Sequence, residues 1–253
     1  MTQSNLNYPV DVNKNTHLSA ADIDIDARKQ IRNMNDEYLL TAQELDELKI
    51  IYPGCQDDKS LNDYRELRTK ILKAANNENF VCMISSLTPQ AGTSHIAMNL
   101  AASIALDHSK TALVIDCNSY TSCLDNYLNH PPKFGLSHFL EGDTEKIEDI
   151  IYSSGIPRLR IIPSGIRTQH AAENFSSEKM EHFISMVKIR YPDRFIILDT
   201  PPIGRYAESQ ILASICDMTI LVVRYGKTTP SQVQVGIDLI GNGKLAGIIL
   251  NDK

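Results

Sequence analysis

Ser86-Leu87-Thr88-Pro89-Gln90-Ala91-Gly92-Thr93-Ser94-His95 lies between the apolar run Phe80-Val81-Cys82-Met83-Ile84 and a helix-like run from Ile96 to Leu106. A strand, a tight turn and a helix in that order bring backbone N–H groups and the positive end of a helix dipole to a point where phosphates bind. Gly92 and Ser94 fit this plan. The pattern G-x-x-x-x-G-K-[ST] also asks for a lysine after its second glycine, and Thr93 stands there, while the first glycine position is Leu87. The stretch reads either as a phosphate loop without its cation or as an ordinary strand-turn-helix connection, and the rest of the chain has to decide.

Downstream, Ile96, Leu100 and Ile104 recur every four residues, as on a helix that faces a sheet. Thr111-Ala112-Leu113-Val114-Ile115-Asp116 is a second buried-strand run and ends in an acid. Ile147, Ile150 and Ile151 predict a helix, Leu159–Pro163 a strand, and Met180, Phe183, Ile184 and Val187 a helix leading into Arg194-Phe195-Ile196-Ile197-Leu198-Asp199. Met218–Val223 and Leu245–Leu250 are strand-like and flank the helical stripe Val233, Ile237, Ile240. Strands alternating with helices predict an α/β fold: a doubly wound, mainly parallel sheet of the P-loop NTPase type with helices on both faces.

Upstream, Thr41-Ala42-Gln43-Glu44 is a capping box ahead of Leu45, Leu48 and Ile51, and Pro53-Gly54 ends that short helix. Ser60 is the expected cap of a longer helix with the stripe Leu61, Tyr64, Leu67, Ile71 and Leu72, while Arg65, Arg68, Lys70 and Lys73 lie mostly off it. Residues Met1 to roughly Ala20 are rich in Asn, Ser, Asp and Thr with few apolar anchors. The expected organisation is a disordered tail over 1–22, an N-terminal helical arm over 23–59 and one domain over 60–253.

Composition narrows the function. The 253 residues suffice for one large domain with an extension, and a formal charge of -6 provides no global basic field for nucleic acid. The five cysteines are scattered, form no C-x-x-C and include apolar strand positions, as reduced structural thiols do. The seven histidines show no zinc spacing. With no apolar run of about 18 residues and no signal-like start, any membrane attachment is expected to come through a partner.

A nucleotide site at the carboxyl edge of such a sheet needs a loop for phosphates, a hydroxyl on Mg²⁺, and carboxylates that hold the metal or its waters. Ser94, Asp116 and Asp199 are the candidates for the last two roles. Each acid by itself could equally cap the turn that follows its strand. Together, in the right topological places, they reinforce one another.

These motifs fall in a recognisable order: Tyr64-Arg65-Glu66-Leu67-Arg68-Thr69, the Gly92 loop with Asn99-Leu100-Ala101, Val114-Ile115-Asp116, Gly135-Leu136-Ser137, Ile162-Pro163-Ser164-Gly165, Ile197-Leu198-Asp199-Thr200-Pro201-Pro202, and Gly247-Ile248-Ile249-Leu250-Asn251-Asp252. Over roughly residues 60 to 252 the chain resembles the bacterial tyrosine kinases, P-loop autokinases of capsule and exopolysaccharide export. Arg190–Arg194 and Ala207–Ala213 look most like the exosortase-associated branch. The resemblance implies Mg-ATP (or ADP), a ring on the cytoplasmic face of a membrane chain-length protein (a polysaccharide co-polymerase), and a peripheral place at the inner membrane through that partner. Carried over, Gly92, Thr93, Ser94 and His95 form the phosphate loop, Ser94, Asp116 and Asp199 the metal set, and Asp116 and Asp199 the acids of the second Walker motif and Walker B. Arg65 and Arg68 belong to the ring-forming helix.

Each assignment has a departure beside it. The loop lysine is Thr93, the second acid of the second Walker motif is Asn118, the arginine that often follows is Tyr120, and the leading glutamate of the ring motif is Asn62. None of the ten tyrosines lies beyond Tyr225, so the family's tail cluster is missing from this sequence. Losing a charge-assisted hydrogen bond of roughly 1.5 to 3 kcal/mol weakens phosphate binding by about 10- to 100-fold. Losing a preorganised transition-state donor lowers turnover by about a further 100- to 1,000-fold. His95 and Lys110 are the nearby cationic substitutes to consider. The expectation is a degenerate, kinase-like subunit that binds nucleotide weakly or not at all and assembles with an active homologous kinase or the membrane co-polymerase, in a hetero-oligomer. The alternatives are an active autokinase or weak ATPase of the same pathway and, further off, a ParA/MinD-type positioning ATPase.

Overall fold

A computed structural model describes residues 38–190, 194–241 and 243–252. The expected tail over 1–22 and the start of the arm, 23–37, lie outside the described residues. The capping box forms: in α1 (Ala42–Glu47) the Thr41 hydroxyl accepts the Glu44 N–H at 3.3 Å while the Glu44 carboxylate accepts the Thr41 N–H at 2.8 Å. The next helix, α2 (Asp58–Ala74), is capped by Asp57 rather than Ser60. The Asp57 carboxylate accepts both the Ser60 N–H (3.0 Å) and its hydroxyl (2.6 Å), so the charged acceptor three residues upstream takes the role that the serine was expected to fill.

Strand β1 (Val81–Ser86) leads through the loop into α3 (Thr93–Ala105) and then β2 (Thr111–Asp116). There follow α4 (Leu136–Glu141), β3 (Tyr152–Ser153), β4 (Leu159–Ile162), α5 (Ala171–Phe175), α6 (Glu178–Arg190), β5 (Arg194–Asp199), α7 (Ala207–Ile215), β6 (Met218–Arg224), α8 (Pro230–Ile240) and β7 (Leu245–Asn251). The helix expected around Ile147 is one 3₁₀ turn, Ile147–Ile150. The seven strands are ordered β3-β4-β2-β5-β1-β6-β7, all parallel except the two-residue edge strand β3. Because β2 and β6 lie on opposite sides of β1, the crevice that such sheets use for ligands opens at the carboxyl end of β1.

The buried strands explain their own composition. Every residue of β1, β2, β4 and β5 is buried, so these strands read as unbroken apolar runs rather than alternating ones. One face, with Cys82, Ile84, Val114 and Ile197, packs on α3, α2 and the arm; the other, with Met83, Leu113, Ile196 and Leu198, packs on Phe139, Phe183 and Leu212. Helix α3 is buried at every position from Ile96 to Ala105, more than its four-residue stripe predicted. Its outer side is covered: the Ile51 N–H donates to Asn99 Oδ1 (2.9 Å), Asn99 Nδ2 to the Lys49 carbonyl (3.1 Å), and Arg68 Nη1 to the Ser103 carbonyl (2.7 Å). Sequence periodicity sees only apolar side chains, and these fastenings are polar.

Candidate functional site

The loop after β1 is shaped for close approach. Gly92, the N-cap of α3, is left-handed at φ +86°, and a Cβ there would overlap the Nδ2 of Asn251, which donates to the Ala91 carbonyl at 2.8 Å. Gln90 also has positive φ, +59°, an unusual place for a side chain of that size. Gly92 offers no side-chain cap, and the first intrahelical bond is Ile96 N–H to the Gly92 carbonyl. The N–H groups of Thr93 and Ser94, in the first turn of the helix, have no carbonyl of the helix upstream of them and suit an anion at its N-terminus.

The two strand-terminal acids sit side by side, since Asp116 of β2 is in register with Asp199 of β5, which in turn pairs with Ile84 of β1. Both are buried. Burial raises both carboxyls above the usual range; the neighbouring Asp199 adds to the effect on Asp116, and the hydroxyls of Ser94 and Thr93 partly offset it at Asp199. Asp116 is held by its own loop: Oδ1 accepts the Asn118 N–H at 2.8 Å and Oδ2 the Ser122 hydroxyl at 2.6 Å. Asn118 turns to Thr121, with Nδ2 donating to Oγ1 at 3.0 Å, and so serves the turn. Asp199 differs, because its Oδ1 is buried with no hydrogen-bond partner. An orphaned carboxylate oxygen beside the Ser94 hydroxyl fits a cation site. Among the described residues no three His, Cys, Asp or Glu side chains are placed to hold a metal, so an ion here would need Ser94 and oxygens of its ligand.

The structure thus brings Gly92, Thr93, Ser94, Asp116 and Asp199 together around the end of β1. His95 lines the space on both sides of the loop, with its ring 3.2 Å from Asn99 Nδ2. Lys110 is excluded as a substitute cation: it follows the far end of α3, about 20 Å along the axis from the loop, and pairs with Asp107 at 2.6 Å. Arg65 and Arg68 are held differently: Arg65 is exposed, whereas Arg68 is half-buried and leans on α3.

Two cavities flank the loop. One, of about 390 Å³, is lined by Gly92, Thr93, Ser94, Asn118, Tyr120 and Tyr206 among others, and no lysine or arginine lines it. The other, of about 570 Å³, lies between the arm, α2, the start of α3 and the end of β7, with Tyr64, Leu67, His95, Asn99, Ile249 and Asn251 in its wall. Sequence reasoning assigned no role to Tyr206 or Asn251. Only the tertiary fold carries them to the loop, from 112 and 157 positions after Ser94 (206 − 94 and 251 − 94).

The model of an AAA domain matches residues 90–234, more than half of the chain. Among curated relatives, a putative tyrosine-protein kinase EpsB of Ralstonia nicotianae is 26% identical over 96% of this chain and 32% of its own length. The tyrosine-protein kinase CpsD of Streptococcus agalactiae is 29% identical over 81% of this chain and 89% of its own. The chain therefore spans about a third of EpsB and most of CpsD. Among solved structures, the kinase domain of the Escherichia coli tyrosine kinase ETK superposes with a TM-score of 0.70 at 25% identity, covering 77% of each chain. Loop, acids, sheet order and relatives agree: the chain belongs to the AAA-domain family, and the relatives it resembles are bacterial tyrosine kinases.

Proposed function

We propose that this chain is a nucleotide-binding, tyrosine-kinase-like subunit of exopolysaccharide or capsule biosynthesis and export in which phosphoryl transfer is impaired and assembly is the main task. One observation carries this reading. The loop keeps Gly92 and Ser94 but has Thr93, turned to Asp199, where the phosphate-loop pattern asks for a lysine, and no lysine or arginine lines the adjoining cavity. The N–H groups of Thr93 and Ser94 would hold the nucleotide's phosphates, Ser94 and Asp199, with Asp116 beside them, would hold Mg²⁺, and the larger cavity, with Tyr64 and Ile249 in its wall, would take the base. Bound Mg²⁺ neutralises phosphate charge. The chain's own residues orient the phosphates and keep the acid pair out of water. Asn118 cannot draw a proton from an attacking hydroxyl, because an amide carries no negative charge.

The partner is a membrane polysaccharide co-polymerase or an active homologous kinase, which would bring the chain to the cytoplasmic face of the inner membrane. No helix among the described residues is long and apolar enough to cross a membrane. In a hetero-oligomer, Arg65 offers the neighbour a free guanidinium while Arg68 braces α2. Titration calorimetry with Mg-ATP tests the nucleotide reading, and a sub-micromolar dissociation constant would contradict weak binding. Co-purification with the co-polymerase or kinase encoded nearby tests the assembly reading: Arg65→Ala should lose partner, and equal recovery would count against docking through this helix. The second reading, an active kinase or ATPase, is supported by the orphaned Oδ1 of Asp199, and its signature is Mg-dependent ATP turnover abolished by Asp199→Asn.

A further inference from the structure

No lysine or arginine lines the phosphate cavity, yet two tyrosines in its wall each carry an arginine on the ring. Tyr120 and Tyr206, which both line it, are stacked with ring centroids 4.1 Å apart and planes 25° apart. Arg167 Cζ lies 5.1 Å from the Tyr120 ring and Arg205 Cζ lies 5.5 Å from the Tyr206 ring. Arg167 comes from the segment after β4 and Arg205 from the segment after β5, so both stand at the carboxyl edge of the sheet. The platform is fixed: the Tyr120 hydroxyl donates to the buried Glu208 of α7 at 2.5 Å. Both arginines are exposed, and among the described residues neither guanidinium has a carboxylate partner.

A guanidinium packed on an aromatic ring gains from the ring's negative face while its N–H edge remains available for a bidentate anion. Two such groups beside an anion cradle that has helix N–H donors but no cation, and that is backed by two carboxyl groups, supply the missing charge complement. We propose that Arg167 and Arg205, held on the stacked rings of Tyr120 and Tyr206, bind the terminal phosphates of a nucleoside triphosphate in place of the absent loop lysine. The proposal rests on the nucleotide-binding reading. It adds a residue-level basis for triphosphate preference, because a clamp at the mouth touches the outer phosphates and leaves a nucleoside monophosphate unaffected.

The test is titration calorimetry of the full chain with Mg-ATP and with AMP, for wild type, Arg167→Ala/Arg205→Ala, Thr93→Lys and the triple variant, with thermal midpoints as a control for folding. The double variant is expected to lose tenfold or more in Mg-ATP affinity, to bind AMP like wild type and to keep its midpoint. Thr93→Lys should gain more affinity in the arginine-less background than in wild type. Mg-ATP affinity within twofold of wild type in the double variant, or an equal loss for AMP, would overturn the clamp and leave nucleotide binding standing. Binding by Thr93→Lys but not by wild type would also overturn it. Absence of binding by both would remove the nucleotide reading, and the clamp with it.

Discussion

Replacing Gly92 with alanine probes whether the loop's shape depends on close backbone approach. Two costs can be worked out. At φ +86° an L-residue pays roughly 1–2 kcal/mol for the left-handed conformation. The new methyl also overlaps Asn251 Nδ2, displacing the amide that donates to the Ala91 carbonyl at 2.8 Å, and a typical hydrogen bond contributes about 0.5–1.5 kcal/mol. Together Gly92→Ala should cost about 1.5–3.5 kcal/mol. With Asn251→Ala already present the overlap and the hydrogen bond are gone, so the same change should cost only the backbone part, about 1–2 kcal/mol. Urea unfolding followed by circular dichroism on the four members of the cycle measures both, provided the slopes agree. A cost below about 0.5 kcal/mol, or one that does not depend on Asn251, refutes the reasoning.

Three further outcomes are expected. Thr93→Lys should tighten Mg-ATP binding by about 10- to 100-fold by calorimetry, and unchanged affinity would show that position 93 does not face the phosphates. Because burial raises Asp116 and Asp199, the folded state holds more protons than the unfolded chain between the ordinary carboxylate range and neutrality, so stability should fall as pH rises through that window. Asp199→Asn should flatten that dependence and gain about 1–3 kcal/mol at pH 8; thermal midpoints that decline equally in both proteins would contradict it. Gln90→Gly should stabilise by about 0.5–1 kcal/mol in urea melts, since relief of the left-handed cost exceeds the added chain entropy, and a loss of stability would refute this.

Much of the fold was legible because its strands are buried on both faces. Thr111–Asp116 and Arg194–Asp199 read as strands with their observed bounds, and the alternation of strand and helix set the parallel order. Less legible were features set by a single polar competitor, such as Asp57 displacing Ser60 as a cap, and features imposed by tertiary cover, such as the complete burial of α3. The acid pair could be read from strand ends alone. Its division of labour could not: Asp116 is satisfied by Asn118 and Ser122 while Asp199 keeps an open oxygen, and this depends on how the loop after β2 folds back. The arginine-tyrosine stack left no mark in the sequence, for its four members come from three separate segments.

The bond from the Ile51 amide to Asn99 Oδ1 makes one proton a reporter for the whole arm. That amide is buried and its acceptor sits on a helix enclosed on every side, so exchange with solvent deuterium requires the arm to lift from α3. Its protection factor therefore measures the free energy of arm detachment, separately from global unfolding. The arm also walls the larger cavity, so an occupant there should slow exchange at Ile51, whereas an anion seated only on the loop should leave the rate unchanged.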